Sequence, residues 1–253
     1  RVSWDMRTFL DIAVDTYVSM AAKAGWTQGL KPNTQTPWLD TKEEVEEPEP
    51  EPGILASCAA SILMKIMYAA RLCRFDLLKP IASLASCLTR WATGCDRLLH
   101  RLVSYVKCSR ELVLSGYIGD DSKDLELQLY ADADFAADKL TRKSTAGMIL
   151  ALAGPRSFFP LNAMSKKQTA VSHSAPEAEI VAAAYALRFF GEVILALAEP
   201  LWKGAFKFGR QSLFVRGQRN GVPHFQTRTQ SHNAVSWSHA WRVPGLSCRP
   251  IER

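Results

Sequence analysis

The sequence lacks several features that would assign it to a large class of proteins. No apolar run approaches the roughly 18 residues that cross a bilayer as a helix, and the longest runs are Gly147–Gly154 and Val193–Ala198. The N-terminus carries Asp5, Asp11 and Asp15 and has no uninterrupted apolar region, which argues against a signal peptide. We therefore expect an intracellular protein, cytoplasmic or nuclear, with no membrane partner.

The cysteine pattern excludes a further class. The six cysteines form no Cys-x-x-Cys pair, and five of them lie in apolar, helix-like sequence. This pattern predicts buried thiols in a reducing compartment rather than a zinc site. Internal repeats are also absent, and the chain begins at Arg1 rather than Met, from which we expect a piece of a longer protein.

The composition is that of a folded protein with an uneven charge distribution. Apolar residues make up 47% of the 253 residues, and the net charge is +6. Thr41–Pro52 contains six Glu against one Lys, whereas Lys203–Arg253 contains nine Lys or Arg against one Glu. A basic balance suits a polyanionic partner, and a charged tail can equally be a solvated segment.

Sequence periodicity predicts helices in the first half of the chain. Asp5–Ala24 has helical spacing, and alternating Pro and Glu then predict an extended linker. The next helix carries the apolar stripe Ile62–Leu77, and Pro80 is expected to end or bend it. Two more helices are predicted over Ile81–Trp91 and from Cys95 to about Val106.

The second half of the chain changes to strand-like patterns. Alternation over Leu125–Tyr130 predicts a half-buried strand, and Gly147–Ala153 and Ser157–Leu161 are candidates for two more. Pro176 marks the start of a helix that continues over Ala178–Leu187. We therefore expect an α/β fold with five segments: 1–40, a linker at 41–53, a helical region at 54–118, an α/β domain at 119–200 and a basic tail at 201–253.

Four acidic residues are candidates for a metal site. Asp132 and Asp134 lie just past the first predicted strand, and Glu177 and Glu179 lie in the first turn of the helix. Carboxylates from a strand end and a neighbouring helix can converge on Mg²⁺, which prefers oxygen ligands. Such residues can equally be helix caps or solvated charges.

Four short motifs around these acids follow one another in a set order. They are Tyr130–Ala136, similar to Y-S-D-A-D-W-A; Arg142–Gly147, similar to R-K-S-T-S-G; Ser165–Gln168, which is S-K-K-Q; and Val171–Ala183, similar to A-L-S-S-T-E-A-E-Y-I-A-A. The same motifs occur in that order, with similar spacing, in the ribonuclease H domain of Ty1/copia-type retrotransposon polyproteins. The segment from Leu125 to about Leu197 therefore resembles that domain.

The helical region resembles the part of the same polyprotein that connects reverse transcriptase to ribonuclease H. Ile66–Arg71 is similar to L-M-Y-L-A-R, Arg74–Leu77 to R-P-D-I, and Ser104–Lys107 to R-Y-L-K. Residues 1–40 would then be the end of the polymerase part. The catalytic acids of the polymerase are not in this chain.

The resemblance implies a ribonuclease H-like mixed sheet with flanking helices and an activity that cleaves RNA in RNA–DNA hybrids with Mg²⁺. It assigns the first metal-binding acid to Asp132 and the second to Glu179, with Glu177 and Asp134 as alternates. It implies no small-molecule substrate. The candidates for contacts with the hybrid's phosphates are Arg142, Lys143, Ser144, Lys166 and Lys167, although these basic residues can equally be solvated.

The sequence departs from the family pattern where the remaining acids belong. No Asp follows Asp138. Leu213–Gln218 aligns with the strand that carries the third acid and has Arg216 in its place, and Thr229–Val235 has Ala234 in place of the fourth. We therefore expect little or no nuclease activity. The alternative is a non-catalytic module that binds nucleic acid on the same scaffold.

Overall fold

The chain divides into two compact units. A computed structural model describes residues 1–38, 51–138 and 141–194. Residues 4–38 and 51–114 form a helical unit, and residues 1–3, 115–138 and 141–194 form a unit of strands and one helix. The described chain is thus α/β, as predicted. None of its helices combines the length and apolar character needed to cross a membrane.

The helical unit contains four helices, joined in part by two short 3₁₀ turns. They are α1 (Arg7–Lys23), α2 (Ala56–Leu72), α3 (Leu78–Ala85) and α4 (Thr93–Cys108). Helix α1 packs against α2 and α4. The segments on either side of the Glu/Pro-rich stretch therefore share one core, to which α1 contributes Leu10 and Tyr17.

The expectation for Pro80 was wrong. Helix α2 ends at Leu72, a 3₁₀ turn follows at Phe75–Leu77, and Pro80 lies in the first turn of α3. A proline is tolerated there because the first backbone N–H groups of a helix have no partner within it. The helix predicted over Ile81–Trp91 is accordingly shifted towards the N-terminus.

The other unit is built on an antiparallel sheet. Its strands are β3 (Glu126–Asp134), β4 (Thr145–Gly154) and β5 (Ser157–Lys167), in the order β3-β4-β5. A separate two-stranded sheet pairs β1 (Val2–Trp4) with β2 (Leu114–Gly116). The strand of the third acid was expected around 213–218, which lies outside the described residues, as do the basic tail and residues 39–50.

The strands extend further than the sequence pattern predicted. Strand β5 continues to Lys167, past a register shift at Leu150/Ala151 of β4. Pro160 is accommodated because β5 is an edge strand among the described strands, where a ladder hydrogen bond can be absent. Strand β3 includes Asp132 and Asp134, so these acids lie within the strand and not after it.

Helix α5 (Ala175–Ala186) covers one face of this sheet and contacts β3 and β4. Its buried positions are three alanines at four-residue spacing, Ala178, Ala182 and Ala186. Side chains this small allow the helix axis to approach the sheet closely. The helix continues through a π turn at Leu187–Gly191, which brings Phe190 into the same core.

Candidate active site

The strand register brings the predicted site residues to one end of the three-stranded sheet. Asp132 pairs with Gly147, which pairs in turn with Ser165, and Asp134 pairs with Thr145, which pairs with Lys167. The β3–β4 loop, the end of β5 and the start of α5 all lie at this end. We refer to it as the acidic end of the sheet.

Asp132 is a buried carboxylate with an unused oxygen. The residue is 7% exposed, and its Oδ1 accepts no hydrogen bond from the described residues. Its carboxyl has a pKa raised to about 6, mainly by burial and in smaller part by the negative charges of Glu179 and Asp134, against a backbone hydrogen bond from Ala133 that lowers it. The side chain is therefore held in an environment that disfavours its own negative charge.

Asp132 lies beside the core that the sheet shares with α5. Ala131 is buried in that core, and Ala133 packs against it. Asp132 stands between these two residues near the end of β3, where the charge of Glu179 acts on it. Gly147 lies opposite Asp132 on β4. A Cβ atom built at Gly147 would have no described atom within 4 Å.

Glu179 lies in the second turn of α5, one turn later than expected. It precedes Ala182 by three positions, so it lies on the side of the helix that faces the sheet. Partial burial raises the pKa of its carboxyl. Its negative charge raises the pKa of the Asp132 carboxyl. Of the two acids in α5, Glu179 and not Glu177 therefore acts on Asp132.

Glu177 has a different partner. The Ser174 hydroxyl accepts a hydrogen bond from the backbone N–H of Glu177 at 3.3 Å, and the Glu177 carboxylate accepts one from the backbone N–H of His173 at 2.7 Å. This reciprocal arrangement is close to a capping box, which stabilises the start of a helix. Glu177 therefore stabilises the N-terminus of α5, as its place in the first turn indicated. Asp134 is exposed at the end of β3.

The acids present suit one divalent ion better than two. The unpartnered Oδ1 of Asp132 is the kind of atom that a metal ion would satisfy, and Glu179 is the second carboxylate near it. Two carboxylates carry the charge that balances a single Mg²⁺. Among the described residues, no group of three or more His, Cys, Asp or Glu side chains could hold a metal ion.

The candidate cations lie at the same end of the sheet, but their exposure differs. Arg142 is exposed and has a positive φ of 57°. Lys143 is half-buried, and Lys167 forms an ion pair with Asp138. Lys166 is exposed and lies over the ring of Tyr185, with 4.4 Å between its Nζ and the ring centroid. Arg142 and Lys166 are thus the cations most open to a polyanion.

Ser144 has a structural position in the β3–β4 loop. It is fully buried, its hydroxyl accepts a hydrogen bond from the Ala136 N–H at 3.1 Å, and its carbonyl accepts one from the Gln168 N–H at 2.8 Å. These bonds hold the loop against the end of β5. Ser144 therefore presents no surface to a phosphate in this conformation.

Gln168, which joins β5 to α5, was not among the site residues predicted from the sequence. Its buried side chain donates a hydrogen bond to the carbonyl of Ala178 at 2.8 Å and accepts one from the Ser172 hydroxyl at 3.2 Å. A buried amide needs such partners, since an unsatisfied one is costly. The only sequence signal was its place as the last residue of the S-K-K-Q motif.

The motif Arg74–Leu77 forms a buried polar network in the helical unit. The guanidinium of Arg74 makes two hydrogen bonds to Asp76, at 2.9 and 2.8 Å, and two to Ser109 just beyond α4. Tyr105 donates a further bond to Asp76 at 2.9 Å. The Arg and Asp of this motif therefore connect the 3₁₀ turn after α2 to the C-terminal end of α4.

Comparisons with known proteins identify no relative. No protein-family model, no curated protein and no solved structure matches the chain.

Proposed function

We propose that the unit containing β3–β5 and α5 is a ribonuclease H-like domain of a Ty1/copia-type retrotransposon polyprotein with impaired nuclease activity. The observation that carries the proposal is the pairing of two acids. Asp132 is buried with an unused oxygen, and Glu179 of α5 lies near enough to raise its pKa. The charge of one of the two acids named from the motifs thus acts on the other.

The element order is compatible with this proposal. Three antiparallel strands are followed by a helix that packs on the first two, and the first acid lies near the end of the first of these strands. In the proposed role, Asp132 and Glu179 would hold Mg²⁺. When bound, Mg²⁺ would polarise a phosphate oxygen and lower the pKa of a bound water.

The proposed loss of activity follows from the acids that the sequence does not contain. A two-metal site must neutralise the repulsion between two divalent cations, and two carboxylates cannot do so. Arg216 in place of the third acid would add a positive charge. We therefore expect a single weak Mg²⁺ site and almost no hydrolysis of the RNA strand.

A hybrid-cleavage assay tests this proposal. The full chain is incubated with a labelled RNA–DNA hybrid and Mg²⁺, beside Asp132→Asn and Glu177→Gln variants. We expect wild type and Asp132→Asn to give the same background cleavage. Robust turnover that Asp132→Asn abolishes and Glu177→Gln preserves would refute the proposed impairment.

A thermal-shift titration with Mg²⁺ tests the metal site separately. A ligand that binds only the folded state raises the melting temperature as its concentration rises. We expect Mg²⁺ to raise the melting temperature of wild type but not of Asp132→Asn. An equal rise in both proteins would show that Asp132 is not a ligand.

The second candidate is a non-catalytic nucleic-acid-binding module. The observation that favours it is the position of exposed Arg142 and Lys166 at the acidic end of the sheet. Cations at this place would contact phosphates on either side of the acids, and each such contact releases counterions from the nucleic acid. Binding would then weaken steeply as salt is added.

Arg142 offers a clean test of this second function. Its φ of 57° suits glycine, so Arg142→Gly removes the charge and relieves backbone strain, whereas Arg142→Ala removes only the charge. Both should weaken hybrid binding and reduce the salt slope by about 1. Lys123→Ala is the matched control, because Lys123 is an exposed cation just before the opposite end of β3. An equal effect of Lys123→Ala would indicate non-specific attraction to the whole chain.

A further inference from the structure

Two aromatic rings lie side by side at the C-terminal end of α5. Tyr185 is in the last turn of the helix, and Phe189 follows in the π turn. Their ring centroids are 4.2 Å apart and the ring planes are inclined by 23°, so the two rings are stacked. Tyr185 packs against the core of the unit, whereas Phe189 is 48% exposed. The stack therefore extends from the core to the surface.

The outer face of the Phe189 ring is open to a ligand. Its inner face lies against the ring of Tyr185. Nζ of Lys166 is 5.3 Å from the Phe189 centroid and 4.4 Å from the Tyr185 centroid. A group on the outer face of Phe189 would be nearer to Phe189 than to Tyr185, so this ammonium lies beside the stack. It leaves the exposed side of Phe189 available to a second flat ring.

The core does not need the Phe189 ring. Its neighbour Phe190 is 6% exposed and belongs to the core that α5 shares with the sheet. Burial stabilises an apolar side chain in proportion to the area removed from water. Phe189 therefore contributes less to the stability of the unit than Phe190 does, and its ring can be replaced without opening the core.

The charges around the stack suit a negatively charged ligand. Lys166 donates a hydrogen bond to the Tyr185 hydroxyl, and its Nζ lies within the distance of about 6 Å at which a ring attracts a cation. Lys166 and Arg188 are both exposed. The sequence has no Asp or Glu between Glu179 and Glu192. An open ring beside two cations fits a ligand that combines a flat group with a phosphate.

We propose that the Tyr185–Phe189 stack is a binding platform for an unpaired base of a single-stranded nucleic acid. The base stacks on the outer face of Phe189, and Lys166 and Arg188 contact the phosphates next to it. The partner is a single strand because bases within a duplex already stack on one another and offer no free face. Stacking on an aromatic side chain accepts any base, so we expect little sequence preference.

Fluorescence anisotropy with two labelled probes tests the proposal on the full chain. One probe is an oligothymidylate, and the other is an abasic oligomer of the same length. Both carry the same phosphates, so attraction to basic residues elsewhere in the chain is alike for the two. We expect wild type to bind the oligothymidylate more tightly by roughly 5-fold or more, the effect of stacking one base on an aromatic side chain.

Phe189→Leu should bring this ratio of affinities close to one and leave binding of the abasic oligomer unchanged. Tyr68→Leu is the matched control, because Tyr68 is also an exposed ring in an aromatic pair, with Phe9 of the helical unit. We expect it to keep the wild-type ratio. Equal affinities for the two probes in wild type, or an unchanged ratio in Phe189→Leu, would refute the proposal.

Photo-cross-linking locates the base without any substitution. Wild type is irradiated with a single strand that carries 5-iodouracil and is then digested with trypsin, which yields peptides 168–188 and 189–203. Fragment spectra should place the adduct on Tyr185 or Phe189. Adducts found only on other residues would show that the base binds elsewhere.

The proposal extends the second candidate function, nucleic-acid binding, to single strands, and it requires neither Asp132 nor Mg²⁺. Asp132→Asn should therefore bind the oligothymidylate as wild type does, even if the chain neither binds Mg²⁺ nor cleaves a hybrid. Phe189→Leu should leave the affinity for a blunt-ended RNA–DNA hybrid unchanged, because the bases of the hybrid are paired. An equal loss of affinity for hybrid and single strand in Phe189→Leu would overturn the assignment of Phe189 to an unpaired base.

Discussion

Replacing Asp132 with Asn should stabilise the unit built on β3–β5 at neutral pH. The substitution keeps the shape of the side chain and an oxygen acceptor at the position of the unpartnered Oδ1. It removes a negative charge that burial and the charge of Glu179 both disfavour. If Asp132 were a purely structural carboxylate, its replacement would instead destabilise the unit.

The magnitude follows from the pKa of the Asp132 carboxyl. Its pKa is raised from the ordinary value of 3.8 to about 6 in the folded chain. One pKa unit corresponds to about 1.4 kcal/mol, so the ionised carboxylate costs up to about 3 kcal/mol in the folded state. Since the site lies near the surface at the end of the sheet, we expect a gain of about 1–2 kcal/mol for Asp132→Asn at pH 7.5.

The sign of the pH dependence distinguishes this explanation from others. A raised folded-state pKa means that the folded chain binds the proton more tightly than the unfolded chain does. The wild type therefore gains stability from this group as the pH falls from above 6 towards 4, and Asp132→Asn does not. The stability difference between the two proteins should shrink towards zero over that interval.

Amide hydrogen exchange of β3 and β4 in metal-free buffer would measure the effect in this unit alone. Wild type and variant are compared at each pH, so the chemical exchange rate cancels. Glu126→Gln is the matched control, because Glu126 is exposed at the start of the same strand and is not among the charges that raise the pKa of Asp132. Destabilisation by Asp132→Asn at pH 7.5, or a difference that does not change down to pH 4, would refute the reasoning.

Three further predictions concern packing and buried polar groups. Ala182→Leu should destabilise the sheet unit by about 1–3 kcal/mol in urea denaturation, since fully buried Ala182 leaves no room for a larger side chain. Asp76→Asn should destabilise the helical unit by about 2–3 kcal/mol, because it removes the negative partner of buried Arg74. Asp11→Asn, in an exposed ion pair, should change the stability of that unit by under about 0.5 kcal/mol. Burial lowers the pKa of His100, so the helical unit should lose stability as the pH falls through about 6.5, and His100→Gln should remove that loss.

The start of a helix was predicted well where the residues at that start favour only one interpretation. Helix α5 begins beside Pro176 as expected, because a proline in the first turn and the Ser174 cap both favour that start. Pro80 misled the prediction because the same residue can end one helix or lie in the first turn of the next. The intervening 3₁₀ turn at Phe75–Leu77 left no break in the apolar pattern.

The strands show why the candidate site could be predicted only in part. The motifs named Asp132 and Glu179, and the charge of Glu179 does act on Asp132. The extension of β3 through Asp134 was missed because polar residues alternate with alanines there, which weakens the strand pattern. The role of Gln168 was missed because its partner is a backbone carbonyl ten positions later, which no side-chain pattern encodes.

The short connection between β5 and α5 constrains the length of the chain. Gln168 holds one end through the Ala178 carbonyl, and Ser174 and Glu177 hold the other through the helix cap. An insertion between them would either break the Gln168 bond or turn α5 about its axis by about 100° per residue. Because such a turn would carry Glu179 away from Asp132, we expect substitutions in this connection to be tolerated far better than changes in its length.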